Sequence, residues 1–205
     1  IIGNTKNKFK AGINFSYDQY IEAVDTFNFN RIDNSVGGFF EYSYDNLENF
    51  SLVSGARLDA HNRLGNFITP RVHVRYLPKE NIIIRASLGS GRKAANIFAE
   101  NQTLFGTNRV ISIAQNGGDI YGLNPEKAWN YGVSIRKIFS LWGGNGDITA
   151  DYYVTDFTDQ VVVDWEEKGR ISFYNLNGKS RANSFQLALD YSPFKALNFR
   201  FAYKN

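Results

Sequence analysis

The residue types best suited to chemistry fall in three places. Gly89-Ser90-Gly91-Arg92-Lys93-Ala94 has the G-x-G-x-x-A spacing that lets a backbone approach a phosphate. Such a turn binds a dinucleotide when a strand enters a helix within a βαβ unit and an acidic residue follows about 20 positions later. Neither condition is met, so these glycines are expected to let a strand bend into a loop. His61 and His73 are the only imidazoles, and Asp59 shares strand parity with His61, which imitates half of a metal site or of a catalytic pair. There is no cysteine, so disulfides and thiolate metal sites are excluded, and two histidines alone make a thin ligand set. No spacing of Ser, His and acid signals a hydrolytic triad. No catalytic, cofactor-binding or metal-binding residue is assigned, and the chain is not expected to be an enzyme. The third place is a long polar stretch from Ser90 to Lys127, which carries Arg92, Lys93, Phe98, Glu100, Asn101, Phe105 and Arg109. Glu100, Asp119 and Glu126 leave it almost neutral, so it does not demand an anionic ligand.

The elements that must position these groups follow from composition and period. The chain has 205 residues and a net charge of +3, too small to announce a nucleic-acid partner. With 43% hydrophobic and 21% charged residues, wholesale disorder is excluded. Aromatics reach 16%, with 17 Phe, 12 Tyr and 3 Trp, alongside 18 Gly and only 4 Pro. No apolar run approaches the roughly 18 residues of a membrane-spanning helix. Ile1-Ile2-Gly3-Asn4 shows no initiator Met and no targeting pattern, so the natural chain is expected to start elsewhere.

Apolar residues alternate with polar ones in twos, the strand period. Phe9, Ala11, Ile13, Phe15 and Tyr17 share one face; Lys8, Lys10, Gly12, Asn14 and Ser16 share the other. The same two faces recur at Phe185, Leu187, Leu189 and Tyr191, and at Leu197, Phe199, Phe201 and Tyr203. Further strands are expected over Val36–Asp45, Phe50–Ala60, Ile68–Leu77, Ile82–Gly89, Ala128–Ile138, a long one over Asp147–Trp165 and another from near Ile171 to Ser192, for about nine in all. In the long strand the apolar parity moves from even (Ile148, Ala150, Tyr152, Val154) to odd (Phe157, Val161, Val163, Trp165), which predicts a β-bulge near Thr155–Phe157.

Most of these strands are longer than the 5 or 6 residues typical of soluble sheets and match the roughly 9 to 11 of a tilted membrane strand. Short connections are expected at Asn46–Asn49, Pro78–Asn81, Ser140–Gly146 and Ser192–Lys195. Long ones are expected at Asp18–Ser35, His61–Phe67 and Ser90–Lys127, with a tip at Glu166–Arg170. Their alternation fits antiparallel strands with turns on one side of a membrane and loops on the other. Aromatics at strand ends, such as Tyr17, Tyr42, Tyr76, Trp129 and Tyr191, suit interfacial girdles. Period alone also admits a soluble β-sandwich, as a carbohydrate-binding module would be, which would bury Phe9, Ile13, Phe185, Leu187 and Phe199.

Several segments resemble the barrel of TonB-dependent outer-membrane receptors, particularly the branch found in Bacteroidetes-type bacteria. Gly38-Phe39-Phe40-Glu41-Tyr42-Ser43-Tyr44 followed by Leu52-Val53-Ser54-Gly55-Ala56-Arg57-Leu58-Asp59-Ala60-His61 is similar to the family's paired strands ending in G-x-R-x-D. Thr69-Pro70-Arg71-Val72-His73-Val74-Arg75-Tyr76 comes next. Arg85-Ala86-Ser87-Leu88-Gly89-Ser90-Gly91-Arg92-Lys93-Ala94-Ala95-Asn96 resembles the stretch R-x-S-x-G-x-G-aromatic-R-x-P, although Arg92 replaces the aromatic and Ala95 the proline. Leu123-Asn124-Pro125-Glu126-Lys127-Ala128-Trp129-Asn130-Tyr131-Gly132 resembles the element that restarts the barrel after a long outer loop.

The resemblance implies an all-β chain whose residues 1–205 form part of an antiparallel up-and-down transmembrane β-barrel, about nine strands of a 22-strand barrel, with the plug domain lying elsewhere and more strands following. It implies the bacterial outer membrane and energised uptake of a bulky scarce nutrient such as a siderophore or other metal chelate, haem, cobalamin or glycan. The implied partners are outer-membrane lipid, the plug and remaining strands, the TonB energy-coupling complex and a surface lipoprotein, with no nucleic acid and no cofactor. Arg57, Arg71, His73, Arg75, Arg85 and Arg136 would then face the lumen and plug, while the Ser90–Lys127 loop would supply ligand contacts. A passive porin or structural barrel is the alternative transport reading.

Overall fold

The computed structural model describes residues 2–24 and 27–205. In chain order the elements are β1 (Ile2–Gly3), β2 (Asn7–Val24), β3 (Phe27–Asp45), β4 (Phe50–His61), β5 (Gly65–Lys79), β6 (Ile82–Lys93), the single-turn α1 (Ile97–Glu100), a 3-10 turn (Gln102–Phe105), β7 (Val110–Ile113), β8 (Glu126–Leu141), β9 (Gly144–Thr158), β10 (Val161–Asp164), β11 (Arg170–Asn175), β12 (Lys179–Phe194) and β13 (Leu197–Lys204). A ten-stranded sheet runs in the order β1-β2-β3-β4-β5-β6-β8-β9-β12-β13. Apart from the two-residue stub β1, these are the nine strands the period calls for. Every pairing in this sheet is antiparallel between sequence neighbours, once the excursions β7 and β10–β11 are set aside.

Register carries one chemistry across each face. Ile84, Ile135, Ala150, Leu187 and Tyr203 are successive partners from β6 to β13 on one side. Arg85, Ser134, Asp151, Gln186 and Lys204 are successive partners on the other. The apolar side is left bare: Ile13 is 89% exposed, Phe199 56% and Phe9 41%. A second sheet packed on that side would have buried these side chains, so the fold is a single curved wall and the sandwich is excluded. Along β8 the outward set from Tyr131 to Leu141, apolar except for Lys137, rises roughly 23 Å at a tilt of about 45°, close to the apolar band of about 25 Å that a membrane barrel presents.

The turns β3–β4, β5–β6, β8–β9 and β12–β13, where the sequence calls for short connections, all lie at one end. Asn46 closes the first by accepting the backbone N–H groups of Glu48, Asn49 and Phe50 at 2.9–3.0 Å. At the β8–β9 turn, Trp142 and Gly143 both have positive φ, 49° and 78°, which is the twist that two-residue hairpins require. The irregularities in register fall at this end too, between Tyr76 and Lys79 and between Tyr191 and Phe194. Pro78 and Pro193 sit in those gaps and have no N–H to give a ladder.

The bulge expected near Thr155–Phe157 is absent. Pairing of β9 with both β8 and β12 runs unbroken through Thr158. The parity changes because the chain leaves the wall at Asp159, whose φ is +57°, and re-enters order as β10. The two long strands are therefore each divided, β9 from β10 and β11 from β12. β10, β11 and β7 form a separate three-stranded sheet in which β11 and β7 are parallel. Two expected loops are also corrected. Of His61–Phe67, only Asn62–Leu64 form a turn; His61 and Gly65–Phe67 are paired strand residues of β4 and β5. Of Asp18–Ser35, the described residues are strand, paired from Asp18↔Asp33 to Val24↔Phe27, and residues 25 and 26 lie outside the described residues. Gly89 and Gly91 do not bend the chain either, since both lie inside β6.

Single buried apolar residues such as Ile83 and Val154 lie in the wall, but the clustered core does not. Ala95, Ile97, Phe98, Ile120, Tyr121, Leu123, Ile171 and Phe173 form one cluster at the loop end, and Phe173 has no exposed surface. Phe27, Phe29, Leu104, Phe105, Ile111, Val161 and Val163 pack around it. The outer segments thus fold as a small globule on top of the wall, stabilised as any water-soluble core is, by apolar burial.

Candidate functional site

Two surfaces can meet a solute: the polar face of the wall and the globule above it. On the polar face, strand parity places Arg57 on β4, Arg71, His73 and Arg75 on β5, Arg85 on β6 and Arg136 on β8, all facing the same way. They form a ladder rather than one pocket. Arg57 grips Asp59 through Nε at 2.8 Å and Nη2 at 2.7 Å. Arg71 donates to Glu41, which Lys10 also approaches at 3.5 Å. Arg136 holds Asp147 with a bidentate fork at 2.8 and 2.9 Å. Arg75 and Arg85 differ. They are direct cross-strand partners, and neither makes an ion pair among the described residues. Like charges placed opposite each other destabilise a sheet, so this pair is a standing demand for negative charge from elsewhere. Beside it, Arg71, His73, Ser87, Gly89, Gly91 and Asn130 line a trough of about 330 Å³ whose floor is open because the central residues are small.

The globule is fastened to the wall by a charged network. Arg31 on β3 is 7% exposed. Its Nη1 donates to Glu22 on β2 at 2.8 Å and to the Tyr121 hydroxyl at 2.7 Å, its Nε donates to Asp33 at 3.1 Å, and its Nη2 donates to Asn96. The Tyr20 ring lies 3.9 Å from its guanidinium carbon. The Tyr121 hydroxyl in turn donates a hydrogen bond to Glu22 at 2.6 Å. Burial pushes the Tyr121 phenol well above its ordinary pKa, and its bond to Glu22 adds to this. Burial works against the charge on Arg31, yet Tyr121, Asp33 and Glu22 together hold its pKa above the ordinary value. Tyr121 and Asn96 belong to the long outer segment and Glu22 and Asp33 to the hairpin, so one guanidinium ties the two together.

The seven residues of the Ser90–Lys127 segment singled out by sequence do not converge. Phe98 is 5% exposed and lies in the core, with Phe105 5.0 Å away and stacked at 6.0 Å on Phe173. Asn101 closes α1 by donating to the Ile97 carbonyl at 2.9 Å. Arg92 donates to the Leu64 carbonyl at 2.8 Å and lies 5.1 Å over the Phe67 ring. Lys93 sits between Glu126 at 3.3 Å and Glu100 at 3.4 Å; burial lowers its pKa less than these two carboxylates raise it. Arg109 donates to the Trp165 carbonyl at 2.9 Å, just past the end of β10. Sequence reasoning missed the Arg31 network. Its signal was present: Glu22, Arg31 and Asp33 occupy one parity in strands that face each other. Among the described residues, no group of three His, Cys, Asp or Glu is placed to hold a metal ion.

The family described as TonB dependent receptor-like, beta-barrel has a model that matches residues 2–205. No curated protein sequence matches the chain. Among solved structures, a mutant of the ferric enterobactin receptor from Pseudomonas aeruginosa is 14% identical with a TM-score of 0.67, covering 96% of this chain and 32% of its own. The FrpB iron transporter from Neisseria meningitidis is 17% identical with a TM-score of 0.62, covering 92% and 31%. The copper transporter OprC is 13% identical with a TM-score of 0.68, covering 98% and 36%. At these identities the likeness is one of fold. The chain spans about a third of the length of the structures it matches.

Proposed function

Because the chain belongs to the TonB-dependent receptor-like β-barrel family, we propose that it forms part of the barrel wall and outer loops of an outer-membrane receptor that imports a bulky, scarce nutrient by energised uptake. One observation carries the reading: a nine-strand meander with a bare apolar outside, an arginine-rich inside and a folded globule at the loop end only. In hydrocarbon the open edges of β2 and β13 must be paired, so further strands of the same receptor close the barrel. The Arg75–Arg85 pair and the ladder of Arg57, Arg71, His73 and Arg136 face a plug domain, whose carboxylates supply the missing negative charge. On the globule, Lys93, Glu100 and Arg109 keep exposed charge available to a ligand, while Phe98, Asn101 and Phe105 hold the loop's shape and Arg92 ties it to the β4–β5 turn. The nutrient class favoured by the neighbours named for iron and copper transport is a metal or metal chelate. A surface lipoprotein and the inner-membrane coupling complex complete the proposed machinery, which transports and does not catalyse.

The test is growth of cells that depend on the full receptor, supplied in turn with ferric chelates, copper, haem, cobalamin or glycans, with and without the coupling complex. The reading expects one class to be taken up by the receptor and that uptake to vanish without coupling. Uptake that persists without coupling would make the barrel a passive pore.

A further inference from the structure

The outward face of β6, β8, β9 and β12 changes character in register toward the loop end. Its apolar belt runs through the rows Ile84, Ile135, Ala150, Leu187 and then Ala86, Val133, Tyr152, Phe185. The next row is Leu88, Tyr131, Val154, Asn183, followed by Ser90, Trp129, Asp156, Arg181 and finally Arg92, Lys127, Thr158, Lys179. Two aromatic rings therefore mark the edge of the belt, and four cations stand in the two rows just beyond it, with Asp156 the only acid among them. A groove of about 620 Å³ opens there between Leu88, Trp129 and Tyr131 on one side and Lys179 and Arg181 on the other.

The charges are partly organised already. Asp156 accepts the Arg181 Nε at 2.6 Å and the Tyr131 hydroxyl at 3.0 Å. Arg181 keeps 61% of its side chain exposed, so its remaining N–H groups are free to meet another acceptor. Lys127 is held by Asp159 at 3.0 Å. Lys179 makes no ion pair among the described residues and is exposed. A soluble anion would use the cations but not the belt beneath them, and an apolar partner would use the belt but not the cations. A phosphate on a molecule with acyl chains uses both, because basic residues at a bilayer surface attract anionic headgroups while apolar side chains pack on the tails.

We propose that this groove binds the phosphate-bearing headgroup of a lipid in the outer leaflet. Lys179 and Arg181 contact the phosphate oxygens, with the more distant Lys127 adding its field. Trp129 and Tyr131 lie against the polar backbone of the lipid, and the acyl chains run down over Val133 and Phe185. Asp156 is a positioning residue that aims Arg181. The inference rests on the reading that this face meets the bilayer.

The experiment places the full receptor in nanodiscs of phosphatidylcholine doped with phosphatidic acid and counts retained lipids by native mass spectrometry. Wild type is expected to retain phosphatidic acid in preference to phosphatidylcholine, and the double variant K179Q/R181Q to lose that preference by roughly tenfold, two surface cations less the share that Asp156 already neutralises. The charge-conserving K179R/R181K is expected to keep most of it. Equal retention of the two lipids by wild type, or unchanged preference in K179Q/R181Q, overturns the headgroup site. A spin label at Val133 in the same nanodiscs keeps the two ideas separate. If bilayer-dissolved oxygen reaches the label and the lipid preference is absent, the site alone fails; if oxygen does not reach it, the lipid-facing reading fails with it.

Discussion

Replacing Arg31 by Met removes the cation that ties the outer globule to the β2–β3 hairpin while keeping much of the side chain's volume. Arg31 makes four hydrogen bonds, to Glu22, Asp33, Tyr121 and Asn96. Losing it strands Glu22 and Asp33, whose side chains are 14% and 10% exposed. Breaking a buried pair by removing one partner costs about 3–5 kcal/mol. Arg63 remains 3.3 Å from Asp33 and offsets part of that, which puts the penalty near the lower end, about 3 kcal/mol, or about 10²-fold in a local opening equilibrium. The assay is hydrogen exchange on the full receptor, read at the amides that fasten the globule. These include Leu123, bonded to the Ile120 carbonyl at 2.9 Å, and Ala114, bonded to the Phe173 carbonyl at 2.8 Å. Their protection is expected to fall about 10²-fold while amides of the wall, such as Leu187 against Ala150, stay unchanged. R31K keeps the charge but loses the fork and should fall between. Unchanged protection in the globule, or an equal loss in the wall, would refute the clamp.

Four further outcomes follow from particular contacts. Phe173→Ala empties the most buried side chain of the globule and should cost about 3–5 kcal/mol, seen as protease sensitivity of the β10–β11 hairpin with the wall intact. Gly132→Ala drives a Cβ into the Tyr153 ring and the Tyr152 carbonyl oxygen; overpacking of this kind costs about 1–3 kcal/mol and should lower the yield of folded receptor in detergent. Arg75→Glu turns a like-charged cross-strand pair into an attractive one, so the wall should gain about 0.2–1 kcal/mol in unfolding experiments, while on the proposed docking of a plug against this face nutrient uptake should fall. The phenol of Tyr121 and the ammonium of Lys93 both have raised pKa values in the folded globule. Each therefore contributes stability that is complete below its unfolded pKa, about 10, and is lost as pH rises beyond it toward the folded value. A spin label at Thr107 should become mobile in alkali above about pH 10, and less steeply so in Tyr121→Phe.

The wall was legible because it is governed by one rule. A strand with lipid on one side and water on the other must alternate, so Phe9 to Tyr17, Phe185 to Tyr191 and Leu197 to Tyr203 declare their faces without any tertiary information. The globule obeys a different rule. In the outer part of the β2–β3 hairpin the covered face carries polar Glu22, Arg31 and Asp33 while Ile21 and Ile32 stand exposed on the other, so the apolar alternation fades, which is why Asp18–Ser35 reads as loop although Tyr20, Glu22, Phe29 and Arg31 are strand residues on the covered face. Divided strands are hidden for a related reason: Phe157 and Val161 share parity, but the turn at Asp159 assigns them to different sheets. The basic ladder was readable from parity, whereas the fate of Phe98 and Phe105 was not, since an aromatic in a polar segment can serve a ligand or a core. Only the position of Phe173 beneath them decides it.

The most direct test of the account is the accessibility of paired labels on adjacent positions of one strand in the full receptor in bilayers. Labels at Ile135 and Leu187 should be reached by bilayer-dissolved oxygen, and labels at Ser134 and Gln186 by a water-soluble paramagnetic reagent. Oxygen exclusion at Ile135 and Leu187, with immobilisation against other polypeptide, would contradict it.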